Sequence, residues 1–292
     1  MKKLLSLLFL ASASLLGQDL RQIVVPHELE NAVGNAGAIA PFNVSAGGSA
    51  RYQQVYDASE FSGVGAPDLL IVSLYFRTDE SGGAVRATIP DIQFDLSTTP
   101  KAPDALSQVF AENVGSDVKT VFGSGPVSLR TFGPVGFDFK VPLDTPFLYR
   151  PSEGNLLLDI RNFSGGPTTY FDGQSKVGDS VSSVVAHTGD GTGSVGSATG
   201  IRRTFGLVAL FEVQPIPEPG TTSLLLLGLG ALGFCFWLRK GGPRKVGRTA
   251  DCGAFVVDGT GKESFSSKNT VNTVKSASRL LCRVALVAIR PV

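Results

Sequence analysis

The sequence is poor in the residues that staple exported proteins together and in those that build reactive centres. Its three cysteines are Cys235, Cys252 and Cys282, so residues 19–213 contain none. That excludes disulfides, a thiol nucleophile and a Cys-ligated zinc from this stretch. The only histidines are His27 and His187, and neither stands at metal-ligand spacing from another donor. Trp237, the one tryptophan, also lies outside 19–213, which removes the ring best suited to stacking on sugars. No Gly-x-Ser-x-Gly elbow occurs, and with it goes the strained nucleophile turn of the α/β-hydrolases. Helical periodicity is nearly missing; residues 105–112 make two turns at most.

What is abundant is glycine, 35 residues, and proline, 17, alongside plentiful Leu, Val and Phe. That mixture suits short strands joined by tight turns better than disorder or a helical bundle. The formal charge of +1 hides an asymmetry. Residues 19–218 hold 13 Lys/Arg against 22 Asp/Glu, a net of −9, while residues 239–292 hold 11 against 3, a net of +8. An acidic body is a poor phosphate binder, so nucleic acid is disfavoured as a partner.

Two segments are directed at a membrane. Met1-Lys2-Lys3 is a basic start, Leu4 to Leu10 is an apolar run broken by Ser6, and Ala11-Ser12-Ala13 offers small residues for cleavage. This pattern reads as a signal peptide over 1–18, too short in its apolar part to span a bilayer. Residues 221–238 are 18 consecutive residues without a charge, roughly 27 Å as a helix and thus one membrane crossing. Trp237 closes the span and Arg239, Lys240, Arg244 and Lys245 follow it. Basic residues stay on the cytoplasmic side, so the body is placed outside the cytoplasm. The signal peptide requires the same orientation.

Immediately before the span stands Pro215-Ile216-Pro217-Glu218-Pro219-Gly220. Pro217-Glu218-Pro219, a Gly-rich apolar helix and a basic cluster, in that order, resemble the PEP-CTERM sorting signal over residues 214–245. The resemblance implies processing by an exosortase, a membrane-embedded cysteine transpeptidase of Gram-negative bacteria linked to exopolysaccharide production. Proline fixes φ and removes backbone donors, which keeps such a motif extended at the membrane face. Such signals end at the basic cluster, whereas 47 residues follow Lys245 here. Residues 246–292 are read as an atypical, disordered basic tail, a non-functional extension first and a membrane-surface helix second.

The body, residues 19–213, alternates with period two in several runs. Ile92, Phe94 and Leu96 share one face, as do Phe137, Phe139 and Val141, the mark of half-buried antiparallel strands. Residues 69–76 and 155–163 are more continuously apolar, as central strands are. Further strands are expected at 50–57, 84–89, 118–122, 126–132, 179–187 and 204–213. The fold class is all-β, a two-sheet sandwich resembling a jelly roll, with one C-terminal transmembrane helix.

Chemistry-bearing motifs are few. Gly191, Gly193 and Gly196 match Gly-x-Gly-x-x-Gly, but no helix opening follows to hold a pyrophosphate. His187, Asp190 and one of many serines could be drawn as a triad, but His187 is expected as an exposed histidine beside a turn. Asp172, Asp179 and Asp190 sit in turn-rich segments where oxygen ligands for calcium are conceivable. No set of residues for a cofactor is found. The expectation is an exported, membrane-anchored surface or extracellular-matrix protein, not an enzyme, linked to exopolysaccharide. A carbohydrate-binding module is the alternative.

Overall fold

The computed structural model describes residues 20–45, 47–167, 169–216, 255–257 and 263–265. The body opens with Arg21–Val25 (β1), Ala36–Ala38 (β2), Ala50–Tyr56 (β3), Asp68–Phe76 (β4) and Val85–Thr99 (β5). Lys119–Thr131 (β6), Phe139–Tyr149 (β7), Asn155–Asn162 (β8), Phe171–Ser175 (β9) and Val181–His187 (β10) follow. Ile201–Arg203 (β11), Phe205–Leu207 (β12) and Ala209–Ile216 (β13) complete it. The chain is mostly β, and its sheets are antiparallel.

One sheet has the order β1-β13-β4-β7, a second β11-β10-β3-β8-β5-β6, and a small third β12-β9-β2. Alternation decides which side chains meet. Tyr52 and Tyr56 of β3, Phe94 and Leu96 of β5, Leu158 and Ile160 of β8 share a buried cluster with Leu74 and Phe76 of β4, Val141 of β7 and Phe211 of β13. Phe42, from the loop after β2, is buried among the core rings. Its ring lies 4.7–5.0 Å from those of Phe76, Phe139 and Phe171. Such tilted and edge-on contacts add to the area each ring removes from water.

Several expected strands are longer or differently divided. Those at 84–89 and 91–97 form the single strand β5, whose register slips between Ile89 and Ile92. Pro90 cannot donate to a ladder, and it occupies the slip, before pairing with β8 begins at Ile92. Likewise 118–122 and 126–132 are one edge strand, β6, with Pro126 tolerated because an edge leaves one side unpaired. The run 204–213 is two strands instead of one. β12 pairs β9 and β13 pairs β4, and the chain changes sheets at Val208, whose N–H donates to Asp172 O at 3.0 Å. Residues 105–112 yield only a 3₁₀ turn, Phe110–Glu112. Strands β1, β2, β9 and β11 are too short or too polar to show a period.

Phe255–Val257 (β14) and Glu263–Phe265 (β15) pair antiparallel within the segment that composition reads as disordered.

Candidate functional site

The outer face of the six-stranded sheet carries two buried carboxylates, Asp95 and Asp159. Asp95 and Asp159 stand opposite each other across β5 and β8. Arg161 Nη2 lies 3.9 Å from an oxygen of each. Arg51 Nη2 donates to Asp159 Oδ2 at 2.8 Å, and Gln53 Nε2 donates to the same oxygen at 2.8 Å. Thr120 Oγ1 and Gln93 Nε2 donate to Asp95. The segment 105–114 covers this network: Asn113 Nδ2 donates to Gln53 Oε1 at 2.9 Å, and Phe110 lies under the Arg51 guanidinium. These carboxylates converge, but every partner neutralises or fixes them, and neither surface cleft described below reaches them.

A second buried pair is structural. Arg77 is fully buried, and its Nε donates to Asp172 Oδ2 at 2.7 Å. Its Nη2 donates to the carbonyls of Leu29 and Ala32, and its guanidinium covers the Phe137 ring. One arginine thus ties the loop after β1 to β9 and to the segment before β7. Burial pushes the Asp172 carboxyl up, and Arg77 pulls it back only in part. An Asp engaged in this way has little left for a cation, so the calcium expectation loses Asp172.

The cleft of interest arises on the inner face of β3 and β10. Tyr52 and Gln54 point to the same side as Tyr56, and Ser183, Val185 and His187 to the same side as Val181. Strand β12 covers part of this face. Leu207 N–H donates to Gln54 Oε1 at 2.7 Å, Gln54 Nε2 donates to Leu207 O at 2.8 Å, and Ser183 Oγ donates to Phe205 O at 2.6 Å. Burial pushes the Tyr52 hydroxyl far above its ordinary range. Beyond β12 the face stays open as a cleft of about 370 Å³. Residues 37–40 form one wall, and the others include Tyr52, His187, Asp190, Arg203 and Phe205.

His187 Nε2 is 2.9 Å from Asp190 Oδ2, and Arg203 Nη2 is 3.5 Å from the same oxygen. The turn that brings Asp190 back needs Gly191 at φ 74°, a left-handed position. Thr192 donates to Asp190 Oδ1 through its N–H at 2.9 Å and its hydroxyl at 2.6 Å. Burial works against the charge, but Thr192 first, then His187 and Arg203, hold the Asp190 carboxyl below its usual range. His187 is 7% exposed, and its Nδ1 is buried without a hydrogen-bond partner. Ser183 lies four residues along the same strand, about 13 Å away at strand rise, and its hydroxyl is spent on Phe205 O. Ser183 is therefore not placed to serve the His187–Asp190 pair as a nucleophile.

A second cleft, about 430 Å³, runs along the edge strand β1 beside Glu60, Gly63 and Val64. The other histidine is here, His27 Nδ1 3.1 Å from Glu60 Oε2, with its side chain in solvent. The third Gly of the 191/193/196 match lies in a loop that leads to β11, not to a helix. Sequence reasoning named His187 and Asp190 but expected an exposed histidine beside a turn, whereas His187 is buried by its place on the inner face of β10. It put none of Ile39, Tyr52, Arg203 or Phe205 at a site. Those four come from separate elements, and no local pattern joins them.

Strand β13 continues through Pro215 and Ile216, which pair with Leu69 and Asp68 of β4. Residues 215–240 match the family model described as the PEP-CTERM protein-sorting motif. The chain carries a PEP-CTERM sorting motif. Such a motif implies an exported protein that an exosortase processes and that is sorted to the surface. Its first two residues therefore close the sheet of the body, with no spacer before Pro217. The sorting residues Pro217, Glu218 and Pro219, the expected span 221–238 and the basic residues Arg239, Lys240, Arg244 and Lys245 lie outside the described residues, as does the expected signal peptide over 1–18. No curated protein matches the chain, and no solved structure matches it.

Proposed function

We propose that the protein is a non-catalytic component of the cell surface or extracellular matrix, anchored by one span and released or transferred through its PEP-CTERM motif, in association with exopolysaccharide. The observation that carries this reading is the sorting motif running on directly from β13. The body is read as a jelly-roll sandwich. What supports that is the distribution of eight strands as β1-β13-β4-β7 and β3-β8-β5-β6, where each step along these eight crosses between the sheets except β5 to β6, as two Greek keys require. A scaffold of this kind needs no catalytic centre, and the buried carboxylates of Asp95, Asp159 and Asp172 are all engaged by arginines.

The test is intact-mass measurement on surface-extracted protein from strains with and without an active exosortase. The expected mature form ends near Pro217-Glu218-Pro219 in the first strain and retains residues 221–238 in the second. The same mass in both strains would overturn the sorting reading.

The cleft at His187 favours a second reading, a carbohydrate-binding module. Ligand clefts combine apolar walls with a few fixed polar groups, and this one holds Ile39 and Phe205 beside His187, Asp190 and Arg203.

A further inference from the structure

We propose that the end of the body from which the sorting motif leaves rests on the lipid bilayer, with exposed apolar side chains around Ile216 entering the headgroup boundary. This rests on the reading of residues 221–238 as a span and adds a second contact with the same membrane.

Strand order identifies the surface. β13 runs from Ala209, opposite Phe76, to Ile216, opposite Asp68. Asp68, Ile216 and Tyr149 therefore mark one end of the four-stranded sheet. Alternation assigns the faces. Leu69, Ile71, Phe147, Tyr149 and Val213 belong to the core, so Leu70, Leu148, Gln214 and Ile216 point outward. Gln214, Leu70 and Leu148 form one row across β13, β4 and β7. Leu20, one residue before β1, also has the outward parity, since Ile23 and Val25 are in the core. Leu20, Leu148 and Ile216 are each more than a third exposed. At ordinary strand spacing and rise, both leucines lie within roughly 12 Å of Ile216.

The loops at this end add two valines. Val118 precedes β6, whose Lys119 Nζ donates to Pro146 O of β7 at 3.1 Å. Val177, 77% exposed, lies in the loop that enters β10 at Val181, opposite Tyr56. Tyr56 in turn leads through the 3₁₀ turn Ala58–Val64 to Asp68.

Chain length decides what this end meets. Five residue steps separate Ile216 from Thr221, the start of the uncharged run, and at full stretch they cover no more than about 18 Å. The headgroup layer takes up roughly 5–8 Å of that reach. Ile216 thus stands within about 13 Å of the lipid surface even with the connection fully drawn out. The opposite end of the sheet lies a nine-residue strand away, about 30 Å. Charge does not select the surface. Arg150, beside this row, lies 3.3 Å from Asp68 and 3.5 Å from Glu153, so its charge is matched within the body. Apolar burial at the headgroup boundary of a zwitterionic bilayer is the contact that fits.

The test uses the full chain with Trp237→Phe and a single new indole, in phosphatidylcholine vesicles with or without bromine on the upper part of the acyl chains. Bromine quenches indole emission only near contact. Emission from Leu148→Trp should fall in the brominated vesicles, and that from Phe132→Trp, in the loop between β6 and β7 at the opposite end, should not. Val177→Trp reports on the same end as position 148 and serves if Leu148→Trp fails to fold. Adding Leu20→Glu and Ile216→Glu should restore the emission, and added sodium chloride should not. Unquenched emission from both reporters overturns the proposal, as does equal quenching of Phe132→Trp. Quenching that the two glutamates leave unchanged overturns it as well, since the tether alone would then hold the body down. A chain that fails to float with the vesicles overturns the span and this inference with it, whereas one that floats unquenched leaves the span standing.

Discussion

Pro215 stands opposite Leu69 in the β13–β4 ladder, two residues before Pro217 of the sorting motif. The last strand of the body and the first residues of the sorting motif are therefore the same backbone. β13 lies between β1 and β4 and buries Ala209, Phe211 and Val213 in the core. We expect a recombinant fragment of residues 19–216 to melt cooperatively and one of residues 19–208 to show no cooperative transition, because its loss would strand β1 without a partner. Circular dichroism melts check this, and equal transitions in both fragments would refute it.

Arg77 and Asp172 should behave as a unit. Removing one partner leaves a buried charge uncompensated, which costs about 3–5 kcal/mol. We expect Arg77→Met to lower stability by that order in urea titrations. Arg77→Met combined with Asp172→Leu should cost less than the two single changes added together. Strict additivity would mean that the pair is not coupled.

Asp179 gives a pH dependence. Burial first, then the charges of Asp104 and Glu28, push its carboxyl from the ordinary 3.8 to about 6, against the pull of the Val181 N–H and Lys176. The unfolded chain releases this proton near 3.8, the folded chain only near 6. The stability from this group is thus fully present below 3.8 and is lost as pH rises through 6. Asp179 Oδ2 is buried without a partner, so a neutral amide at 179 removes a poorly compensated charge. We expect Asp179→Asn to raise the melting temperature at pH 7 by roughly 2–4 °C, allowing for solvent screening of a partly exposed group. The gain should vanish near pH 4. An equal gain at both pH values would assign the effect to packing.

Chelator and reductant should both leave the melting temperature of the 19–216 fragment unchanged. Asp172 is committed to Arg77 and Asp190 to His187, Arg203 and Thr192, and no cysteine lies in the body. A calcium-dependent rise in a thermal melt would show a cation bound to the folded state by mass action. It would reopen the loop carboxylates as ligands.

Much of the body was legible along the chain because a strand exposes its face through a local rule. Phe94 and Leu96, or Phe139 and Val141, alternate with polar neighbours whatever packs on them. The sorting motif was legible for the same reason: Pro217-Glu218-Pro219, an uncharged run and a basic cluster act in linear order, and a bilayer reads length and charge directly. Strand limits were less legible where proline intervenes. Pro90 and Pro126 look like breaks, yet a register slip and an edge position absorb them. Sheet order, the burial of Arg77 and the cleft could not be read at all. Arg77 and Asp172 are 95 residues apart in sequence, and Ile39, Tyr52, His187 and Arg203 come from different strands or loops. Their meeting depends on which strands pair across long loops, a choice made by the total fit of two sheet faces and written in no single segment of the chain.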